Sequence, residues 1–285
     1  MKDLEAVLGR LCFALGPLDL ARPFLKPVYA WSAAMGRSGK PVLPWSMKFL
    51  FTHLANQFRE PNNLVRVRPR GTELGMAFRA DAKAEGQTVC VGGWECLGGT
   101  PPEKARWFSL QLDRRVAPWA FSRREPFRCT AALELYATLL CIMAFGDRWG
   151  AASTGTIGLT GITDNLGNTF AVSKLMSAKF PVVVILVELA AQLRRRELDL
   201  DLQWVPRDQN EEADALTNEE FGGFNPQMRV ELEASSIQRE VLPEMLGAAE
   251  QLYKEVQAAK AEGPPKQRKA PKAKPGEKLR DREPW

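Results

Sequence analysis

Histidine is nearly absent from this chain, since His53 is the single histidine among 285 residues. A histidine-dependent catalytic triad or a histidine-rich metal site is therefore not a leading interpretation. The five cysteines are scattered and form no Cys-x-x-Cys pair. This distribution argues against a zinc cluster and against a disulfide framework, and it favours a reducing compartment.

Long apolar runs are missing as well. The longest run, Val182 to Ala191, contains Glu188 and is too short to cross a bilayer. The first residues, MKDLEAVLGR, lack the apolar core of a signal peptide. We therefore expect a soluble, intracellular protein of the cytoplasm, the nucleus or both, without a membrane partner.

The charge balance is mildly basic, with a net charge of +5 and a pI near 9.0. This balance is compatible with a nucleic-acid partner but does not identify one by itself. Hydrophobic residues make up 45% of the chain, which is enough to build a core. The length allows one large domain or two small ones.

The middle of the chain carries alternating strand and helix patterns. Three strand candidates come first, and the short turn-forming stretches between them predict an antiparallel meander, with a bulge at Gly92-Gly93 in the second strand. The predicted strands are 74–82, 87–97, 106–112, 156–163 and 199–205, and the predicted helices are 130–145, 165–178, 181–196 and one after the last strand. This order predicts a mixed α/β fold, with helices on both faces of a five-stranded mixed sheet.

Composition also suggests domain boundaries. We predict a helical segment at 1–60, a linker at 61–73, the α/β domain at 74–222, a connector and C-terminal helix at 223–262, and a basic disordered tail at 263–285. The tail is poor in apolar residues and rich in proline, lysine and arginine. It fits attraction to nucleic acid or a nuclear localisation patch, and a solubilising end is the alternative.

The stretch at 202–216, LQWVPRDQNEEADAL, reads as a strand, a proline-marked turn and the start of a helix. Asp208 and Glu211 have the spacing of a capping box, with Asn210 as a rival cap. Asp214 follows among small and apolar residues, on or near the buried face. A buried acid needs a compensating partner, and the alternative is that Asp214 simply faces solvent.

Four acids share this kind of setting, each on a different predicted element among apolar neighbours. They are Asp81, Glu134, Asp164 and Asp214, in the contexts FRADA, ALELY, GITDN and EADAL. Such a set suggests convergence at one end of the sheet, where the carboxylates would repel one another unless a cation lay between them. Oxygen ligands without nearby histidine or cysteine select Mg²⁺ or Mn²⁺. Two such ions can activate a water and stabilise the leaving oxygen of a phosphodiester.

These motifs resemble those of the ribonuclease H domains that are fused to reverse transcriptases in retroelements. DA after a strand, ELYA in a helix, TDN after a strand and N-x-x-AD-A-L in the last helix match the four acidic motifs in order, over roughly Leu74 to Glu220. The stretch WVPRDQNEEADALT is similar to the form in retrotransposon polyproteins of the DIRS-like group. The N-terminal LGRLCFALGPLDLARPFLKPVYAW resembles the segment that joins a polymerase thumb to ribonuclease H.

The resemblance implies hydrolysis of the RNA strand of an RNA–DNA hybrid by two Mg²⁺ ions, with Mn²⁺ as a substitute. Matched by motif, Asp81, Glu134, Asp164 and Asp214 would be the catalytic metal ligands, and Asp81 would bridge both ions. A reverse transcriptase polymerase domain is an implied partner. The Tyr-x-Asp-Asp motif of such a polymerase is absent from these residues, so we expect no DNA synthesis by this chain.

A basic loop between the third strand and the long helix is the candidate binding site for the RNA–DNA hybrid. Arginine would contact phosphates and tryptophan would stack on bases or sugars, while a solvated loop with anchoring aromatics is the alternative. The candidates are Arg114, Arg115, Trp119, Arg123, Arg124 and Arg128. Asn165, beside Asp164, is the candidate reader of the RNA 2′-hydroxyl.

One departure from the family pattern leaves the activity open. Many members have a histidine ten residues before the last acid, and this chain has Trp204 there. The loss puts product release and full rate in question. The alternative is therefore a catalytically impaired nucleic-acid-binding or scaffold protein on the same fold. A third interpretation, an integrase-like or transposase-like nuclease, usually lacks a helical acid such as Glu134.

Overall fold

The computed structural model describes residues 2–15, 19–38, 43–59, 70–121, 125–149, 155–177, 179–232, 241–243 and 245. A five-stranded sheet with the order β3-β2-β1-β4-β5 forms the centre. Its strands are β1 (Arg70–Glu85), β2 (Thr88–Glu95), β3 (Trp107–Gln111), β4 (Thr156–Thr163) and β5 (Leu198–Trp204). The first three pair antiparallel, whereas β4 and β5 run parallel to β1. The predicted mixed α/β class, with helices around a five-stranded mixed sheet, is confirmed.

Helices cover both faces of this sheet. The helices of the described residues are α1 (Lys2–Ala14), α2 (Arg22–Ser38), α3 (Trp45–Arg59), α4 (Pro118–Phe121), α5 (Thr130–Trp149), α6 (Leu166–Lys174), α7 (Val182–Arg195) and α8 (Glu211–Thr217). On one face, α5 packs on β1 and β2, with α7 beside it, and α2 packs on α7. On the opposite face, α8 packs on the same two strands.

Gly92 and Gly93 let the two helical layers approach the sheet closely. The pairing of β1 with β2 runs through both glycines without a shift in register, so the predicted bulge is wrong. A Cβ on Gly92 would lie 2.8 Å from Leu216 Cβ of α8, and one on Gly93 would lie 2.4 Å from Cys141 Sγ of α5. Neighbouring strand residues point to opposite faces. The lack of a side chain at these two positions therefore lets α8 and α5 pack closely on opposite faces of the sheet.

The helix α5 forms the centre of the main core. The segment Pro126–Trp149 is long and apolar enough to cross a membrane by composition, but 78% of its apolar window is buried inside the protein. It packs against the sheet and against α7 beside it, and these contacts explain why it is apolar nearly all round. Its end at Trp149 lies beyond the predicted end at Phe145.

The other predicted elements are present with shifted ends. Among them, β1 begins at Arg70, four residues before its predicted start and inside the range predicted as a linker. The predicted C-terminal helix lies mostly outside the described residues, and the predicted tail at 263–285 lies wholly outside them. Of the helix, residues 241–243 and 245 are described, and Val241, Leu242 and Met245 among them are buried. The domain boundaries stay a prediction.

Candidate metal centre

Three acids from three elements meet at one end of the sheet. Asp81 lies in β1, Glu134 lies near the start of α5, and Asp164 directly follows β4. A carboxylate oxygen from each lies within 4.8 Å of the others. The strands β1 and β4 are parallel neighbours, and Asp81 lies just beyond their last paired residues, Arg79 and Ile162. The carboxyl end of β4, the point in β1 where its pairing with β4 ends, and the start of the core helix thus converge.

Burial makes this arrangement unfavourable without a compensating cation. Asp81 is 4% exposed and Glu134 is 8% exposed. Glu134 Oε2 and Asp164 Oδ1 are buried and have no hydrogen-bond partner within the protein. Burying a carboxylate oxygen without a hydrogen-bond partner lowers the stability of the folded state by roughly several kcal/mol. A divalent ion that prefers oxygen ligands would satisfy these atoms, so the residues fit Mg²⁺ or Mn²⁺.

The pKa values of the group reflect the same crowding. Burial, followed by repulsion from Asp164, raises the pKa of Glu134 to about 8. The same two causes raise the pKa of Asp81 to about 6. Burial also raises the pKa of Asp164, against the opposing charge of Arg207. The group therefore holds protons near neutral pH unless a cation replaces them.

Asp214 lies beside these three acids but outside the span that they share. Its Oδ1 is 2.5 Å from Nη2 of Arg207, and its Oδ2 accepts a 2.7 Å hydrogen bond from Nδ2 of Asn218. Its charge acts on both Asp81 and Asp164. Among the four acids singled out in the sequence, the structure thus brings three together and gives the fourth its own partners.

Solved ribonuclease H structures resemble this chain. One is ribonuclease H1 of the halophilic archaeon Halobacterium salinarum, with a TM-score of 0.34 and 18% identity, covering 52% of this chain and 97% of that one. Another is the N-terminal ribonuclease H domain of a Mycobacterium tuberculosis protein fused to maltose-binding protein, with a TM-score of 0.32 and 17% identity, covering 52% and 93%. At such identities the likeness concerns the fold alone. No protein-family model and no curated protein matches the chain.

The start of α8 differs from its prediction. The helix begins at Glu211, and Asn210 is its N-cap residue without a side-chain capping bond. Asp208 lies in the preceding 3₁₀ turn. The predicted capping box of Asp208 and Glu211 is therefore wrong. Asn210 instead donates from Nδ2 to the carbonyl oxygen of Ala80 at 3.2 Å, which fastens the loop before α8 to β1.

Arg207 is a candidate functional residue that the sequence analysis missed. It opens the 3₁₀ turn Arg207–Gln209 and pairs with Asp214. Its charge also lowers the pKa of Glu134 and of Asp164 against the effect of burial. The only signal in the sequence was one arginine in the turn before the last acid, and a lone loop arginine is ordinarily solvated.

Trp204 ends β5 next to the acids. Its indole Nε1 donates to the carbonyl oxygen of Asp164 at 2.9 Å, and 47% of the residue is exposed. On α6, Leu166 and Phe170 are 52% and 55% exposed, and Lys174 lies over the Phe170 ring at 5.7 Å. Exposed aromatic and apolar side chains with a nearby cation are suited to stacking on nucleotides.

Asn165 serves local structure as the N-cap of α6. Its Oδ1 accepts a 3.1 Å hydrogen bond from the backbone N–H of Asn168. Its side chain also hydrogen-bonds Glu134, and this contact works against the rise in that pKa. The role of Asn165 as a reader of the 2′-hydroxyl stays a prediction.

The basic loop supports only part of its predicted role. Trp119 is 3% exposed, with its ring edge-on to Tyr136 at 5.8 Å. A buried core side chain cannot stack on a bound strand, so the prediction for Trp119 is wrong. Arg123 and Arg124 lie outside the described residues.

The remaining arginines of the loop are exposed and engaged with neighbours. Arg114 lies 5.7 Å above the Phe121 ring, Arg115 pairs with Asp113 at 3.0 Å, and Arg128 pairs with Glu125. Arg128 precedes α5 in a turn that packs on β1, whereas the other two follow β3 at the sheet edge. Their contacts with nucleic acid stay a prediction, and topology brings Arg128 nearer to the acids.

Proposed function

We propose that this protein is a metal-dependent endonuclease that hydrolyses the RNA strand of RNA–DNA hybrids. The observation that carries the proposal is the convergence of three carboxylates within 4.8 Å, two of which have buried oxygens without a partner. An acidic group of this kind suits a hard divalent ion and phosphodiester chemistry. The motif resemblance to ribonuclease H supports the choice of an RNA–DNA hybrid as substrate.

We assign the following roles to residues of the chain. Divalent ions held by Asp81, Glu134 and Asp164 would supply an activated water and stabilise the leaving oxygen. Thr217 Oγ1, 3.2 Å from Asp81 Oδ2, orients that carboxylate from α8. Asp214, which the motif resemblance makes a fourth ligand, would bind an ion through a carboxylate that here pairs with Arg207.

Exposed side chains on the elements that adjoin the acids in the chain or in the sheet support a nucleic-acid partner. Trp204 and Phe170 offer exposed rings for stacking, and Lys174 and Arg128 offer cations for phosphates. The same motif resemblance supports a retroelement origin and a reverse transcriptase polymerase domain as a partner, and we include both in the proposal.

The direct test is cleavage of a labelled RNA–DNA hybrid in the presence of Mg²⁺ or Mn²⁺. We expect cleavage of the RNA strand by the wild-type protein and a loss of at least about 100-fold in Asp164→Asn, because removal of an essential group typically costs this much. Lys104→Gln, at an exposed position in the β2–β3 connection, is the matched control and should cleave normally. Absence of cleavage with both metals would refute the proposal.

The second candidate function is a nucleic-acid-binding protein with little or no catalysis. The specific observations that favour it are the pairing of Asp214 with Arg207 and the presence of Trp204 where a histidine is common. Gel-shift binding of the hybrid without cleavage, unchanged in Asp164→Asn, would support this function over the first.

A further inference from the structure

Both oxygens of the Asp214 carboxylate are occupied by side chains. Arg207 Nη2 lies 2.5 Å from Oδ1, and Asn218 Nδ2 donates to Oδ2 at 2.7 Å. Asn218 is fixed in turn, because its Oδ1 accepts a 2.9 Å hydrogen bond from Lys83 Nζ. Each oxygen keeps a second lone pair, but an ion that used it would lie beside the Arg207 guanidinium or the Asn218 amide, whereas Glu134 Oε2 has no hydrogen-bond partner within the protein.

Arg207 is held at a position where its positive charge interacts with the carboxylates of the site. Its turn is fastened to β1 through the bond from Asn210 to Ala80 and through a bond from Arg79 to the Gln209 carbonyl. The guanidinium interacts favourably with Asp81 and Asp164 in addition to Asp214. A tethered positive charge at this place competes with a second divalent ion in two ways, by occupying its ligand and by repelling it.

We propose that Arg207 is a positioning residue that sets how many divalent ions the free protein holds. While Arg207 is paired with Asp214, the protein takes one ion, at Asp81, Glu134 and Asp164. A second ion, with Asp214 among its ligands, enters only after Arg207 leaves. This inference rests on the proposed metal-dependent function and goes beyond it, because it concerns the order and number of ions in this chain.

The side chain of Arg207 is 73% exposed, so it can be replaced without disturbing the core. Bound ions are counted on the metal-free, full-length protein by calorimetric titration with MnCl₂ and by the electron paramagnetic resonance signal of free Mn²⁺. We expect one ion for the wild type and two for Arg207→Gln, with the second bound about tenfold tighter than any second ion of the wild type, a change of about 1.4 kcal/mol.

Three further variants separate the role of Arg207 from a general loss of charge. Arg207→Lys keeps the cation and should still hold one ion. Lys104→Gln removes the same charge elsewhere on the surface and should also hold one. Arg207→Gln combined with Asp214→Asn should return to one ion, because the second ion loses its ligand.

The outcomes are distinguishable. Equal ion numbers and affinities in the wild type and Arg207→Gln would overturn the inference, and hybrid cleavage by both would leave the proposed function standing. If no variant bound Mn²⁺ and no hybrid were cleaved, the proposed function itself would fail. A second ion that persisted in the double variant would show that Asp214 is not its ligand, and this result would also overturn the inference.

Discussion

The indole Nε1 of Trp204 donates a hydrogen bond to the backbone carbonyl oxygen of Asp164 across 2.9 Å. This contact joins the end of β5 to the acid that follows β4. An indole carries no proton that titrates near neutral pH. Trp204 therefore cannot replace a histidine in proton transfer, and its evident role is to fix the backbone at Asp164.

We predict that Trp204→Phe keeps the exposed ring and loses this bond. Unfolding by urea should show a loss of about 0.5–1.5 kcal/mol, the usual net value of one hydrogen bond. Mn²⁺ binding should weaken at the same time, because the backbone that carries Asp164 is less fixed. Trp45→Phe is the control, since Trp45 is 54% exposed on α3 and stacks on Phe49. Equal metal affinity in Trp204→Phe and the wild type would contradict the positioning role.

The raised pKa values of the buried acids predict how the stability of the metal-free protein depends on pH. The pKa of Glu134 is raised from 4.5 to about 8, and that of Asp81 from 3.8 to about 6. At a pH between the pKa of the unfolded state and that of the folded state, the native protein binds more protons than the unfolded chain. The free energy of unfolding therefore falls as pH rises. Each group contributes at most about 1.4 kcal/mol per pH unit. Denaturation in EDTA should therefore show stability decreasing from pH 5 to pH 8.

Glu134→Gln tests the source of this slope. The neutral amide cannot acquire the buried charge, so the variant should be more stable than the wild type at pH 8 in EDTA and should have a flatter profile. Added Mn²⁺ should stabilise the wild type more than the variant, and more at pH 8 than at pH 6, because carboxylates must lose protons to bind metal. Parallel pH profiles of the two proteins would show that Glu134 does not carry the effect.

The sequence predicts the fold class and which acids belong to the site better than it predicts how the side chains of the site are arranged. The short motifs around Asp81, Glu134 and Asp164 sit on elements whose type the local pattern indicates, so their convergence follows from the topology. The pairing of Asp214 with Arg207 could not be predicted, because it depends on how the loop before α8 is fastened to β1. The burial of Trp119 was missed for a similar reason. A tryptophan among arginines looks like a binding loop until its packing on α5 is known.

Glycine packing gives a prediction about the core. A Cβ at Gly93 would meet Cys141 Sγ at 2.4 Å, Phe108 Cε1 at 3.0 Å and the Arg79 carbonyl oxygen at 3.2 Å. We predict that Gly93→Ala destabilises the protein by about 1–3 kcal/mol, the usual cost of overpacking. A Cβ at Gly222 meets nothing within 4 Å, so Gly222→Ala is the control. Thermal unfolding of both variants measures the difference, and equal midpoints would mean that α5 can shift away from the sheet at little cost.

Glu188 is fully buried in α7. Its Oε2 accepts backbone hydrogen bonds from Val241 and Leu242, both at 2.7 Å, while its Oε1 accepts one from Gln192 at 2.5 Å. A carboxylate that receives the first N–H groups of a helical turn substitutes for an N-cap and is favoured by the helix dipole. Glu188 thereby fastens the segment around residue 241 to the core helices.

Glu188→Gln should disturb this attachment, since the amide brings an N–H group toward existing donors. We expect a loss of about 1–3 kcal/mol in unfolding free energy, the cost of leaving buried donors unpaired. Hydrogen exchange should accelerate at the amides of Val241 and Leu242 before it changes in the sheet. Glu220→Gln, at an exposed position after α8, should leave these amides unaltered. Unchanged exchange at both amides in Glu188→Gln would mean that the buried packing of Val241, Leu242 and Met245 holds the segment without the carboxylate.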